Sequence, residues 1–81
     1  MDHKSRTGML INLKSFAWEQ YDKANKYAQD GDDVYGYMNT VIGAILFACQ
    51  CEPDILKEAH EWWICNMYDY FDSLLIRFEQ E

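Results

Sequence analysis

Four side chains in the second half of the chain have the chemistry of zinc ligands: Cys49, Cys51, His60 and Cys65. Thiolate sulfur and neutral imidazole nitrogen are the usual donors to tetrahedral zinc, and a structural site needs about four of them. The spacing argues against such a site. Zinc-binding cysteine pairs are usually separated by about two to four residues, whereas Cys49 and Cys51 flank Gln50 alone. At roughly 100° per residue, His60 and Cys65 on one helix point about 140° apart and do not converge on an ion. A carboxylate di-iron centre in a helical bundle draws on paired Glu-x-x-His motifs, and the chain contains none. The acidic run Asp30, Asp32, Asp33 is too short for a calcium loop and lacks its terminal Glu.

Nucleophilic catalysis requires a Cys, Ser or Thr beside a base held by a third group. His3 and His60 are the only histidines. His3 falls in the N-terminal arm, and a Cys65–His60 pair has no evident orienting partner. We therefore expect no enzyme activity, no metal and no cofactor. The three cysteines read as buried free thiols that behave as small hydrophobes. Their odd number and an N-terminal MDHKSRTG without signal-peptide layout suggest the cytoplasm.

The remaining chemistry is that of contact. Residues 1–29 carry five Lys/Arg against three Asp/Glu, whereas residues 30–81 carry two against eleven, which gives +2 and −9 and the net −7 of the chain. So acidic a body disfavours direct nucleic-acid binding and favours a protein partner with a basic surface. On one long helix at uniform pitch, Asp54, Glu58, Glu61, Asp69, Asp72 and Glu79 fall within about 80° of each other, forming a negative ridge. Trp62 lies beside this ridge and is the candidate anchor, because Trp is enriched in binding hot spots. Trp18 and Ile11 point away from the main face of the first helix and are further candidates for exposure. An aromatic stripe of Ile64, Tyr68, Phe71 and Leu75 is the candidate seam for a second copy.

Positioning these residues requires helices. Leu10, Leu13, Ala17, Tyr21, Ala24 and Ala28 recur at helical spacing and predict a first helix over about 8–29, after a flexible arm at 1–7, with Ser5 or Thr7 as its cap. Asp30-Gly31-Asp32-Asp33 predicts a tight reversal with Gly31 in a left-handed turn. From Val34 to Cys51 the sequence VYGYMNTVIGAILFACQC holds no charge and predicts a buried second helix over about 33–51. Val34, Met38, Val41, Ile42, Ile45 and Cys49 form its apolar face, and Gly36, Thr40, Gly43, Ala44 and Ala48 suit close approach of a neighbour on another side. Its length just reaches the threshold for crossing a membrane. Flanking acids, internal Asn39, Thr40 and Gln50, and the lack of a nearby Lys or Arg argue instead for a soluble core helix. Glu52-Pro53-Asp54 starts a third helix over about 53–79, with Pro in the first turn.

These elements predict an all-α domain over 8–81, a compact antiparallel three-helix bundle open to dimerisation. At 81 residues a single core is barely sufficient, so burial against a partner would add appreciable stability. In size, acidity and lack of catalytic residues the chain resembles in type the small acidic inhibitors that bacteriophages and mobile elements direct against nucleases, CRISPR complexes and restriction enzymes. That resemblance implies a non-enzymatic protein that enters a basic channel through the negative ridge. A homo-oligomeric structural or adaptor protein is the alternative expectation.

Overall fold

The computed structural model describes residues 3–79, and every regular element among them is helical. Helix α1 spans His3–Tyr27 and α2 spans Gly31–Cys51. A 3-10 turn, Pro53–Ile55, leads into α3, Leu56–Trp62; a π-helical turn, Trp63–Met67, then joins α3 to α4, Tyr68–Glu79. The run from 53 to 79 is thus one third helix with a wide turn in its middle. The chain is all-α, with three helices.

Helix α1 begins before the expected boundary at residue 8, so residues 3–7 are helical, while Met1 and Asp2 lie outside the described residues. Gly8 does not interrupt it. A helical Gly costs only about 1 kcal/mol relative to Ala, and Leu10, buried two residues later, ties this end to the core.

The first reversal is built differently from the expected glycine turn. No described residue has a positive φ, and Gly31 is the first residue of α2. Asp30 is extended (φ −155°, ψ 178°), and its carboxylate accepts a 2.9 Å hydrogen bond from the Asp33 amide. Asp33 in turn accepts from the Gln29 amide at 2.9 Å. This reciprocal arrangement satisfies amides that a helix start otherwise leaves open, and the carboxylates complement the N-terminal end of the helix dipole. At the other end, Pro53 keeps the preceding residue out of the helical region. Glu52 accordingly sits at φ −143° and ψ 88°, its amide donating to the Ala48 carbonyl at 2.8 Å as α2 stops.

The core joins Leu10, Ala17 and Ala24 of α1 with Val34, Met38, Val41, Ile45 and Ala48 of α2. From the third helix come Ile55, Ala59, Trp63, Met67, Phe71, Leu74 and Leu75. The residues 55, 59, 63, 67, 71 and 75 recur every four positions. In an uninterrupted α-helix such a stripe would drift about 40° per step around the axis. The wide turn counters this drift. The Tyr68 amide donates to the Trp63 carbonyl five residues back, so the turn holds one extra residue and everything after it lags by about 100° relative to uniform pitch.

That lag overturns part of the expected facing. Phe71 is 0% exposed and Leu75 is 7% exposed, both in the core, so neither belongs to an outer seam. Tyr70, which uniform pitch places inward, instead lies at the boundary. It meets Trp18 edge-on at 4.8 Å and Tyr21 at 5.5 Å between ring centroids, and Tyr21 reaches Phe71 at 5.7 Å. These rings close α1 against α4, and Arg77 adds a 3.0 Å hydrogen bond to Asn25 of α1.

Helix α2 also departs from expectation. Its inner face is buried, but only 28% of its most apolar 18-residue window is, and by length and composition it is apolar enough to cross a membrane. Beyond its own helix, no atom of the described residues would lie within 4 Å of a Cβ added at Gly36 or Gly43, so neither glycine meets a neighbouring helix backbone among them. The two other helices cover one side of α2 and leave the other open.

Candidate protein-interaction surface

The wide turn also redistributes the carboxylates. Asp54, Glu58 and Glu61 precede it, and Asp69, Asp72 and Glu79 follow it. With the lag of about 100° included, the six spread over roughly 160° rather than about 80°. Asp54, Glu58, Glu61 and Asp69 remain within about 80° of each other, and all four are exposed. Asp72 rotates towards α2 and is half-buried, and Glu79 turns in the same direction. The negative ridge is therefore four carboxylates, concentrated in the first half of the third helix and the start of α4.

Trp62 is half-buried against the core rather than free beside this ridge. The Lys14 ammonium of α1 stands 6.0 Å from its ring centroid, at the outer limit of a cation–π contact. Trp18 packs edge-on against Tyr21 and Tyr70 while 38% of it stays exposed. Ile11 is exposed, as its position on the outer face of α1 implies.

The seam residues divide. Phe71 and Leu75 are buried, while Ile64 is 51% and Tyr68 43% exposed. These two line an open groove of about 360 Å³ between α2 and the third helix. Leu56, His60, Ile64 and Tyr68 form one wall, Ile42, Ile45 and Leu46 the other, and Trp63 lies at its base. Leu56 to Tyr68 recur every four residues, and the wide turn keeps them aligned just as it does the core stripe. Leu46 and Phe47 were not singled out in the sequence, because an uncharged helix reads as buried all round. The available signal was that two partner helices cannot enclose a third, so some apolar positions of α2 must remain outside. Phe47, 68% exposed, is the extreme case and sits over a second groove, between α1 and α2, with Met9, Leu13 and Ala44.

No group of three or more His, Cys, Asp or Glu side chains placed to hold a metal occurs among the described residues. Cys49 is half-buried, while Cys51 and Cys65 are exposed, so two of the three thiols are not the buried hydrophobes expected. Exposure follows from position: Cys51 ends α2 and Cys65 lies on the outer arc of the wide turn. Burial pushes the Cys49 thiol pKa up, because the thiolate is poorly solvated there. His60 lies on the groove wall, with neither Cys49 nor Cys65 among the residues lining that groove.

What the surface offers is shape and charge: a solvent-facing carboxylate ridge beside an apolar groove. No family model matches the chain, and no curated protein or solved structure matches it.

Proposed function

We propose that this chain is a non-enzymatic cytoplasmic protein-binding module, an antiparallel three-helix bundle that docks its acidic third helix on a basic surface of another protein. The observation that carries this reading is the exposure of Asp54, Glu58, Glu61 and Asp69 on one side of that helix, within a segment whose charge is −9 over residues 30–81. Such a field speeds encounter with a Lys/Arg-lined surface and selects against acidic partners. A groove that ordinarily holds a nucleic-acid backbone has the matching chemistry, so occupying it makes the chain an inhibitor of a nucleic-acid-handling complex, of the kind mobile elements use against host defences. The bundle topology is supported by the short connections at residues 28–30 and at Glu52, and by the Arg77–Asn25 bond between α4 and α1.

The test is a charge reversal. Glu58→Lys, Glu61→Lys and Asp69→Lys together change the net charge from −7 to −1. All three positions are exposed, so helicity by circular dichroism should be retained. Capture of the partner from cells that produce the chain should be lost in the triple variant, and the wild-type interaction should weaken steeply with salt. Retained capture and salt independence would exclude this electrostatic mode.

A second reading, a homo-oligomeric structural or adaptor protein, is favoured by the exposed Ile64 and Tyr68 and by the uncovered side of α2. Light scattering at tens of micromolar tests the seam: a monomer removes it, and a dimer leaves both readings open.

A further inference from the structure

We infer that the groove between α2 and the third helix is the docking site for a basic amphipathic helix of the partner protein; this rests on the protein-binding reading above. The groove walls are apolar side chains left outside the core: Leu46 on α2, and Leu56, Ile64 and Tyr68 on the third helix. The third-helix wall runs about 18 Å at 1.5 Å per residue, so a helix of roughly three turns fills it. A helix also suits the two-helix walls, since side-chain ridges pack into helical grooves, and it keeps its backbone hydrogen bonds while laying apolar residues at i, i+4 and i+7 into the site.

Charge sets the sign of the occupant. Glu61 lies one turn before Ile64, Asp69 follows Tyr68 directly, and Asp72 lies one turn beyond Tyr68. The groove is thus flanked along its third-helix side by three carboxylates against one cation, the exposed Lys57 beside Leu56, and α2, its other wall, has no charge from Val34 to Cys51. An occupant with Leu-type anchors in the groove and Lys or Arg along one flank satisfies both features. A second copy would bring Glu61, Asp69 and Asp72 of each chain towards the same three on the other, which opposes self-association. The same carboxylates oppose an anionic membrane surface. Among the described residues, the polar groups on the lining side chains are the His60 imidazole, the Tyr68 hydroxyl and the Trp63 indole N–H.

The test uses the full chain, isotopically labelled, titrated with a fourteen-residue Leu/Lys peptide designed as an amphipathic helix. Controls are a scrambled peptide of identical composition and a Leu/Glu version. The expected result is saturable binding, with amide shifts concentrated at Ile42, Leu46, Leu56, Ile64 and Tyr68. Scrambling should weaken binding at least about 10-fold, and the Leu/Glu peptide should not bind. Ile64→Asp should weaken the helical peptide at least about 10-fold, with Ile64→Ala as the milder variant should the aspartate disturb folding. Equal binding of the scrambled peptide, shifts confined to the carboxylate ridge, or a groove already closed by a second copy would each overturn the inference. If Ile64→Asp leaves partner capture intact while the Glu58/Glu61/Asp69 reversal abolishes it, the groove assignment fails and the protein-binding reading stands.

Discussion

The register of the third helix predicts a sharp inequality between adjacent residues. Uniform helical pitch places Tyr70 on the inner stripe, whereas the wide turn at Trp63–Met67 brings Phe71 inward and leaves Tyr70 46% exposed. Phe71→Ala removes a fully buried ring and leaves a cavity, a change that costs about 3–5 kcal/mol. Phe71 also loses its contacts with Tyr21 at 5.7 Å and Trp63 at 5.8 Å, each worth roughly 0.5–1.5 kcal/mol beyond area. We therefore expect a loss at the top of that range, about 5 kcal/mol. Tyr70→Ala gives up two edge contacts and half of its surface burial, about 2–3 kcal/mol. A chain of this length has a total stability of roughly 4–12 kcal/mol, so Phe71→Ala should be close to unfolding while Tyr70→Ala should fold. With a urea slope near 1 kcal/mol per molar for a small domain, the two midpoints should differ by about 2 M or more, measured by circular dichroism. Equal midpoints, or a lower midpoint for Tyr70→Ala, would refute the register and with it the alignment of Leu56, Ile64 and Tyr68.

Further outcomes follow from the same geometry. Deleting the exposed Asn66 removes the extra residue of the wide turn without changing which residues face inward, so stability should change by only about 1 kcal/mol. Deleting Ser73 instead rotates Leu74, Leu75 and Phe78 by about 100° out of their sites and should cost several kcal/mol, read by the same denaturation assay. Asp30→Ala removes the acceptor for the Asp33 amide and should cost about 1 kcal/mol. At pH 8, an alkylating reagent followed by mass spectrometry should label Cys51 and Cys65 before Cys49. A raised thiol pKa means less of the reactive thiolate at a given pH, and Cys49 is also the least accessible of the three. Labelling of Cys49 first would contradict its placement.

Much of the helical layout was readable from local chemistry. The Asp30-Gly31-Asp32-Asp33 run marked the reversal before α2, although the helix starts at Gly31 with Asp30 as its cap and not near residue 33, and Glu52-Pro53-Asp54 marked the start of the third helix, because caps and proline act through adjacent backbone groups. The inner face of α2 was equally legible in Val34, Met38, Val41 and Ile45. Facing in the third helix was not, because a π-helical turn has no compositional mark and a uniform angle per residue misassigns everything beyond it. One clue existed: apolar residues at 55, 59, 63, 67, 71 and 75 keep a strict four-residue spacing that an unbroken α-helix cannot hold on one side. The candidate site suffered accordingly. Phe71 and Leu75 were assigned to a seam they do not reach, Asp72 and Glu79 to a ridge they leave. Exposure of Leu46 and Phe47 depends on how many neighbours α2 has, which is a tertiary quantity that periodicity does not contain.

In the proposed binding mode a basic protein partner sits on the third helix, across its carboxylates and the adjoining groove. This mode is tested most directly by amide-resolved NMR of the full chain titrated with the captured partner. Binding in that mode should shift Asp54, Glu58, Glu61 and Asp69 together with Leu46, Leu56, Ile64 and Tyr68, and the shifts should diminish together as salt is raised. Shifts centred on the outer face of α1, around Ile11, Lys14 and Trp18, and insensitive to salt would contradict it.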